Sequence, residues 1–197
     1  MVLRSLIRAA SVIGAALAVG SALIASPALA DITNPRVLGP ESGNPFLSAF
    51  SPDGLQAYIS IPSNHQVVSY NTITSIPGAP INFPVGSNPF GIQVSPDGSK
   101  IYVTLMGTWN TDSGGLAIVD ASTHSILRTI PLSYSPISDP VTTGPSRLLL
   151  SPDGTHAYVF ETVRQSLADI DLNTNTVVGR ANLDFCQNCG PTPQLAL

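Results

Sequence analysis

Ser95-Pro96-Asp97-Gly98 returns as Ser51-Pro52-Asp53-Gly54 and as Ser151-Pro152-Asp153-Gly154, with a proline six residues before each serine (Pro45, Pro89, Pro145) and a tyrosine seven after it (Tyr58, Tyr102, Tyr158). A pattern held in phase over about fourteen positions, three times, marks a repeat protein. Proline holds φ near the value needed at the second position of a type I turn, and aspartate tolerates the third. Glycine takes the left-handed position that closes a three-residue hairpin with a bulge. Pairing Ser95 with Ser99 across this corner sets Ile92 opposite Tyr102, Gln93 opposite Ile101 and Gly91 opposite Val103. The other copies set Leu148 opposite Tyr158 and Leu47 opposite Ile59. Both faces of such a ribbon are largely apolar, whereas a ribbon with one wet face would alternate, so each hairpin is expected between other sheets.

Outward from the corners, the rest of each unit is periodic too. Third strands read at Val67 to Tyr70, Leu116 to Val119 and Leu167 to Ile170. Each runs into a turn with one spacing, Asn71 with Thr74, Asp120 with Thr123 and Asp171 with Thr174, where the first side chain accepts backbone N–H bonds. Fourth strands are expected near Ile73 to Ile76 or Ile81 to Val85, at Ile126 to Leu132, and at Thr176 to Leu183. Ile32 to Leu38, with Pro35 inside it, reads as an edge strand. Among 197 residues, 43% are hydrophobic and only 10% charged, with 18 Pro and 16 Gly, a balance that favours short strands and tight turns over helices. The class is all-β.

The N-terminus has a different character. Arg4 and Arg8 precede an apolar run from Ala9 to Ala25, and Ala28-Leu29-Ala30 offers a small-x-small cleavage site before Asp31. Residues 1–30 are therefore read as a secretory signal, which places the mature chain in the periplasm, outside the cell or at its surface. An uncleaved anchor is the alternative; the run is slightly short of the roughly 20 residues a spanning helix needs. Removing the leader takes the formal charge from −4 to −6 and leaves Lys100 as the one lysine, so no basic stripe exists to neutralise a nucleic acid backbone. No second apolar run could cross a bilayer.

With its apolar strand, SPDG corner, Ile101-Tyr102-Val103-Thr104, and Ile118-Val119-Asp120 running to Thr123, the second unit resembles the YVTN-type β-propeller repeat family. The likeness extends from about Asn44 to Leu197. The resemblance implies an exported propeller, usually of about seven blades, whose superfamily neighbours include lactonases, quinoprotein dehydrogenase subunits and haem d1 proteins. No catalytic motif of those neighbours maps onto this chain. Successive prolines Pro45, Pro89, Pro145 and Pro193 lie 44, 56 and 48 residues apart, close to the length of a four-stranded blade. The expectation is a partial, open propeller with units at about 41–84, 85–132 and 140–184, and the first strand of a fourth at 190–197. Closed propellers have at least about four blades, so the count favours a truncated or fragmentary product, ahead of an assembly of chains or a stable open array. Open blade edges and uncovered faces favour self-association.

Candidate chemistry is sparse. Cys186 and Cys189 are spaced C-x-x-C, but Gly190 stands where haem attachment needs histidine, and His65, His124 and His156 lack zinc-ligand spacing. A local disulfide is the reading for an exported chain, with a thioredoxin-like pair as the alternative. The three corner aspartates are read as turn chemistry rather than catalytic or calcium-binding carboxylates, and the three tyrosines as packed between blades with a partner for the hydroxyl. No G-x-S-x-G elbow, H-E-x-x-H or Walker loop occurs. No cofactor is expected. Binding is expected on the rim opposite the corners, at Asn64, His65, Trp109, Asn110, Asp112, Glu161 and Arg164, with Trp109 in an inserted loop from Gly107 to Gly115. A noncatalytic binding or surface-interaction module, for a protein or small molecule the sequence does not identify, is therefore favoured over a lactonase-like hydrolase and a quinoprotein-like electron-transfer accessory.

Overall fold

Short runs of β-branched and aromatic residues between turn-formers become strands throughout the computed structural model, which describes residues 43–108, 114–132 and 144–183. Blade 1 consists of β1 (Ser48–Phe50), β2 (Gln56–Ile61), β3 (Gln66–Asn71) and β4 (Ile81–Asn82). Blade 2 holds β5 (Pro89–Val94), β6 (Lys100–Leu105), β7 (Gly115–Asp120) and β8 (Ile126–Pro131). Blade 3 holds β9 (Pro145–Leu150), β10 (His156–Glu161), β11 (Ser166–Asp171) and β12 (Thr176–Asn182). Each is an antiparallel four-stranded sheet in sequence order, and together they form a partial β-propeller. Among the described residues the only helical piece is a 3-10 turn at Pro62–Asn64, and no helix is long and apolar enough to cross a membrane. The expected leader at residues 1–30, the expected edge strand Ile32 to Leu38, the expected opening of a fourth unit at residues 190–197, and Cys186 and Cys189 lie outside the described residues.

Two expectations are corrected. Of the two places expected for the fourth strand of blade 1, the strand forms at the second and is shorter than expected, Ile81–Asn82, while Ile73 to Ile76 forms no strand. The hairpin register also differs by one residue. Ile92 pairs with Val103, Gln93 with Tyr102, Leu148 with Val159 and Ser48 with Ile59. The cause is the length of the corner. The glycine N–H closes a turn on the serine carbonyl (Gly98 to Ser95, 2.9 Å), but the serine N–H pairs one residue further on, with Lys100 rather than Ser99. The same holds from Ser51 to Gln56 and from Ser151 to His156. The extra residue is held because the aspartate Oδ1 accepts both the preceding serine hydroxyl and the N–H two residues on (Leu55, Ser99, Thr155), while the serine Oγ accepts from Gln56, Lys100 or His156. Gly54, Gly98 and Gly154 have φ of 72°, 74° and 69°, the left-handed conformation that makes glycine the residue of choice there.

Blade 2 is covered on both faces. Ile92, Ile101, Val103, Leu105, Ala117 and Val119 pack against Tyr58, Val67, Ile81 and Phe83 of blade 1. On the opposite face Tyr102, Leu116, Ile118, Ile130 and Leu132 pack against Leu148, Ala157, Val159, Ala168 and Ile170 of blade 3. These layers supply most of the apolar burial that holds the sheets together.

A hydroxyl nine residues after the corner serine adds a polar bridge inside each interface. Ser60 Oγ donates to the Phe90 carbonyl of blade 2 at 2.8 Å, and Thr104 Oγ1 donates to the Ser146 carbonyl of blade 3 at 2.5 Å. Each also accepts an N–H from its own first strand or the residue before it, Leu47 at 3.1 Å and Gly91 at 2.7 Å. Gly91 must be glycine, since a Cβ there would collide with the Ser146 carbonyl oxygen. The equivalent residue of blade 3 is Phe160, which has no hydroxyl to bridge with.

Candidate functional site

Antiparallel succession sorts the loops onto two rims. The SPDG corners share one rim with the turns after the third strands, and the second-to-third strand turns share the other with the connections between blades. On the corner rim the turns after the third strands form as expected. Asn71, Asp120 and Asp171 accept the N–H of Thr74, Thr123 and Thr174 at 2.9, 2.7 and 3.2 Å. The corners also abut one another, with ring carbons of Pro52 lying against Gly98 and those of Pro96 against Gly154. Hydrogen bonds from the neighbouring serines and backbone hold the carboxyls of Asp97, Asp120 and Asp153 down at about 2. The corner aspartates are thus ionised at neutral pH, with Oδ1 engaged in the turn.

Of the tyrosines, Tyr58 and Tyr102 are buried between blades as expected, while Tyr158 is half-buried on the far face of blade 3. None of the three hydroxyls makes a hydrogen bond among the described residues, a departure from the partner expected for them. Burial, aided by Asp53 and Asp97, raises the Tyr58 and Tyr102 hydroxyls above the usual phenol range. Beside Tyr158, His156 Nδ1 lies 2.7 Å from Asp169 Oδ1, and this bond raises the histidine.

The opposite rim is where binding residues were expected. Asn64 lies in the Pro62–Asn64 turn, followed by His65 in the left-handed region at φ 54°, whose Nδ1 is buried without a hydrogen-bond partner among the described residues. Arg164 is half-buried in the turn between β10 and β11. Trp109, Asn110 and Asp112 lie outside the described residues. Glu161 is not a rim group. Its carboxylate is fully buried at the end of β10, accepting from Ser166 Oγ at 2.5 Å and from Arg180 Nε at 3.2 Å. Arg180 in turn donates to the Leu132 carbonyl of blade 2 at 3.4 Å, so this pair belongs to the blade interface. Sequence spacing gave no hint of it, because the partners stand 19 residues apart on different strands.

Two clefts separate neighbouring blades. On the loop rim, blades 2 and 3 leave about 440 Å³ lined by Asn88, Met106, Gly107, Thr108, Thr162 and Val163. Its walls are pinned by Asn88 Nδ2 donating to the Gly107 carbonyl at 2.8 Å and Thr162 Oγ1 donating to the Gly144 carbonyl at 2.8 Å. On the corner rim, blades 1 and 2 leave about 450 Å³. A smaller recess of about 220 Å³ runs along the inner strands, where Ser48, Gln93 and Arg147 supply the polar groups.

No protein-family profile matches this chain, and no curated protein matches it. Solved structures do. Hydrazine synthase of Kuenenia stuttgartiensis is similar at 24% identity and a TM-score of 0.59, over 76% of this chain and 40% of that one. The structure of U3-55K matches at 16% identity and 0.58, over 74% and 41%. The RRP9 WD40 repeats match at 16% identity and 0.58, over 74% and 40%. This chain spans about two fifths of the length of each. At these identities the likeness establishes the propeller fold.

Proposed function

We propose that this chain is an exported, YVTN-like propeller module that binds a ligand on its loop rim rather than transforming one. The observation that carries this reading is the rim cleft between blades 2 and 3, a recess of ligand-sized volume with mainly apolar walls, pinned to rigid sheets on both sides. Rigid walls limit the ordering cost of binding, and an apolar group entering between Met106 and Val163 would be removed from water. The carboxylates that a hydrolytic reading would recruit, Asp53, Asp97 and Asp153, stand on the other rim with Oδ1 engaged in turn hydrogen bonds. Asn64, His65 and Arg164 stand on the same rim and are proposed as further binding residues, as the sequence reading also proposes for Trp109, Asn110 and Asp112.

A ligand-observed NMR screen of apolar fragments tests the site. Hits lost in Val163→Glu, which puts a charge at the cleft wall, support it; turnover of a lactone substrate with fragment binding indifferent to position 163 would sink it. Cell fractionation and N-terminal sequencing test export, with Asp31 as the expected first residue. Self-association through the face of blade 3 turned away from blade 2, where Tyr158, Leu149 and Leu167 are half-buried, is read by light scattering; a sharp monomer peak counts against it.

A further inference from the structure

The small recess along the inner strands draws on one window of the repeat. Leu47, Gly91 and Arg147 stand four residues before the corner serines of their blades, Ser48, Ile92 and Leu148 follow them, and all six line the space. The first strands of the three sheets, β1, β5 and β9, lie side by side, so the repeat itself brings these equivalent positions to one place. Ile92 and Leu148 are buried and Leu47 is half-buried, which gives the recess an apolar floor.

Its polar groups depart from the repeat. Where blade 1 has leucine and blade 2 has glycine, blade 3 has Arg147, the one charged residue among those lining the recess. Ser48 and Gln93 add a hydroxyl and a carboxamide. None of these three side chains takes part in a hydrogen bond or ion pair among the described residues, where the ion pairs join His156 to Asp169 and Arg180 to Glu161. Arg147 thus adds no bond to the fold, and it stands in a chain of formal charge −4 without an acidic partner of its own among the described residues. A residue that breaks the pattern of its sister repeats with no structural return marks a functional position.

Chemistry narrows the guest. A guanidinium only donates, and its planar fork matches the two oxygens of a carboxylate. The neighbouring hydroxyl and carboxamide can donate to the same kind of oxygen. A cation would be repelled. Inorganic phosphate suits the fork but leaves the apolar floor in water, whereas a carboxylate with a hydrocarbon group uses both. The volume of about 220 Å³ is below that of clefts that hold drug-sized molecules, so the guest is small.

We propose that this recess binds a small organic carboxylate, its charge paired with Arg147 with help from Gln93 and Ser48, and its hydrocarbon part set against Leu47, Ile92 and Leu148. The site belongs to the inner strands and stands independently of the apolar rim cleft.

Titration calorimetry of the full chain with benzoate at low ionic strength tests this, with benzamide as its uncharged counterpart. One saturable benzoate site is expected, with benzamide at least about tenfold weaker, as the loss of a charge-assisted bond requires. Arg147→Gln should weaken benzoate by a similar factor and melt with the parent. Arg147→Lys keeps the charge but loses the fork and should fall between the two. Gln93→Leu should cost about threefold, the order of one hydrogen bond. Arg128→Gln makes the same change of net charge on the outer strand β8, and Val163→Glu alters the rim cleft; both should bind benzoate as the parent does. Absence of saturable heat overturns the proposal, as does benzamide binding equal to benzoate. Equal weakening by Arg128→Gln would reduce the effect to diffuse charge, and loss in Val163→Glu would move benzoate to the rim cleft; either outcome also sinks it.

Discussion

The two blade interfaces are built from the same repeated parts yet differ in how they treat charge. Between blades 1 and 2, the Ser60 bridge and the Pro52–Gly98 contact accompany a tilted ring contact, Phe46 to Phe90 at 4.0 Å, and the charged groups stay at the solvent-facing cleft. Between blades 2 and 3, the Thr104 bridge and the Pro96–Gly154 contact are joined by a fully buried carboxylate, Glu161, paired with Arg180. Glu161 occupies the position that Ile61 and Leu105 hold in the other blades. A repeat thus fixes the architecture of an interface while single positions decide its polarity. Burying Glu161 is costly unless Arg180 and Ser166 stay in place, which makes the second interface the more exacting of the two.

Breaking the pair should have the largest effect. Glu161→Ala strands Arg180, whose side chain is 23% exposed, and should cost roughly 3 kcal/mol, the low end for a buried pair losing one partner. The urea midpoint measures it. Glu161→Leu with Arg180→Met, which makes this interface resemble the first, should recover most of the loss; failure to recover would mean that the pair does more than satisfy its own burial.

The hydroxyl bridges come next. Thr104→Val leaves the Gly91 N–H and the Ser146 carbonyl short of a partner at a fully buried position and should cost about 2 kcal/mol. Ser60 is as buried as Thr104, but its partners Leu47 and Phe90 are half-buried, so Ser60→Ala should cost about 1 kcal/mol. Equal losses at the two positions would show that the interfaces are equally dry.

The smallest effect is expected from acid. Asp97, Asp120 and Asp153 have folded-state values depressed to about 2, so the stability each contributes is present above the unfolded carboxylate value of about 4 and is lost as pH falls through about 2. The melting temperature should therefore drop between pH 4 and 2, and less steeply in Asp97→Asn/Asp120→Asn. A drop complete by pH 5 would contradict this assignment.

Much of this was legible in advance because it is local. Proline, aspartate and glycine in fixed order can make one kind of corner, and Asn71, Asp120 and Asp171 each cap the turn that follows them, so the corners, the order of the strands and the sorting of rims could be read from spacing alone. The hairpin register was not, since it turns on whether the serine hydroxyl captures one more residue into the loop. The two bridging hydroxyls left a trace, Ser60 and Thr104 at one phase of the repeat. Their acceptors, by contrast, lie 30 and 42 residues away, and only packed blades bring them within reach.

By itself, then, the amino-acid order determined an all-β chain of repeated four-stranded units, because turn preferences and strand periodicity are properties of neighbouring residues. Only the tertiary structure decided that Glu161 is buried against Arg180 rather than offered to a ligand, and that Tyr58 and Tyr102 are packed between blades while Tyr158 stays half-buried. Both outcomes depend on distance between residues remote in sequence, and that distance is set by how one sheet leans on the next.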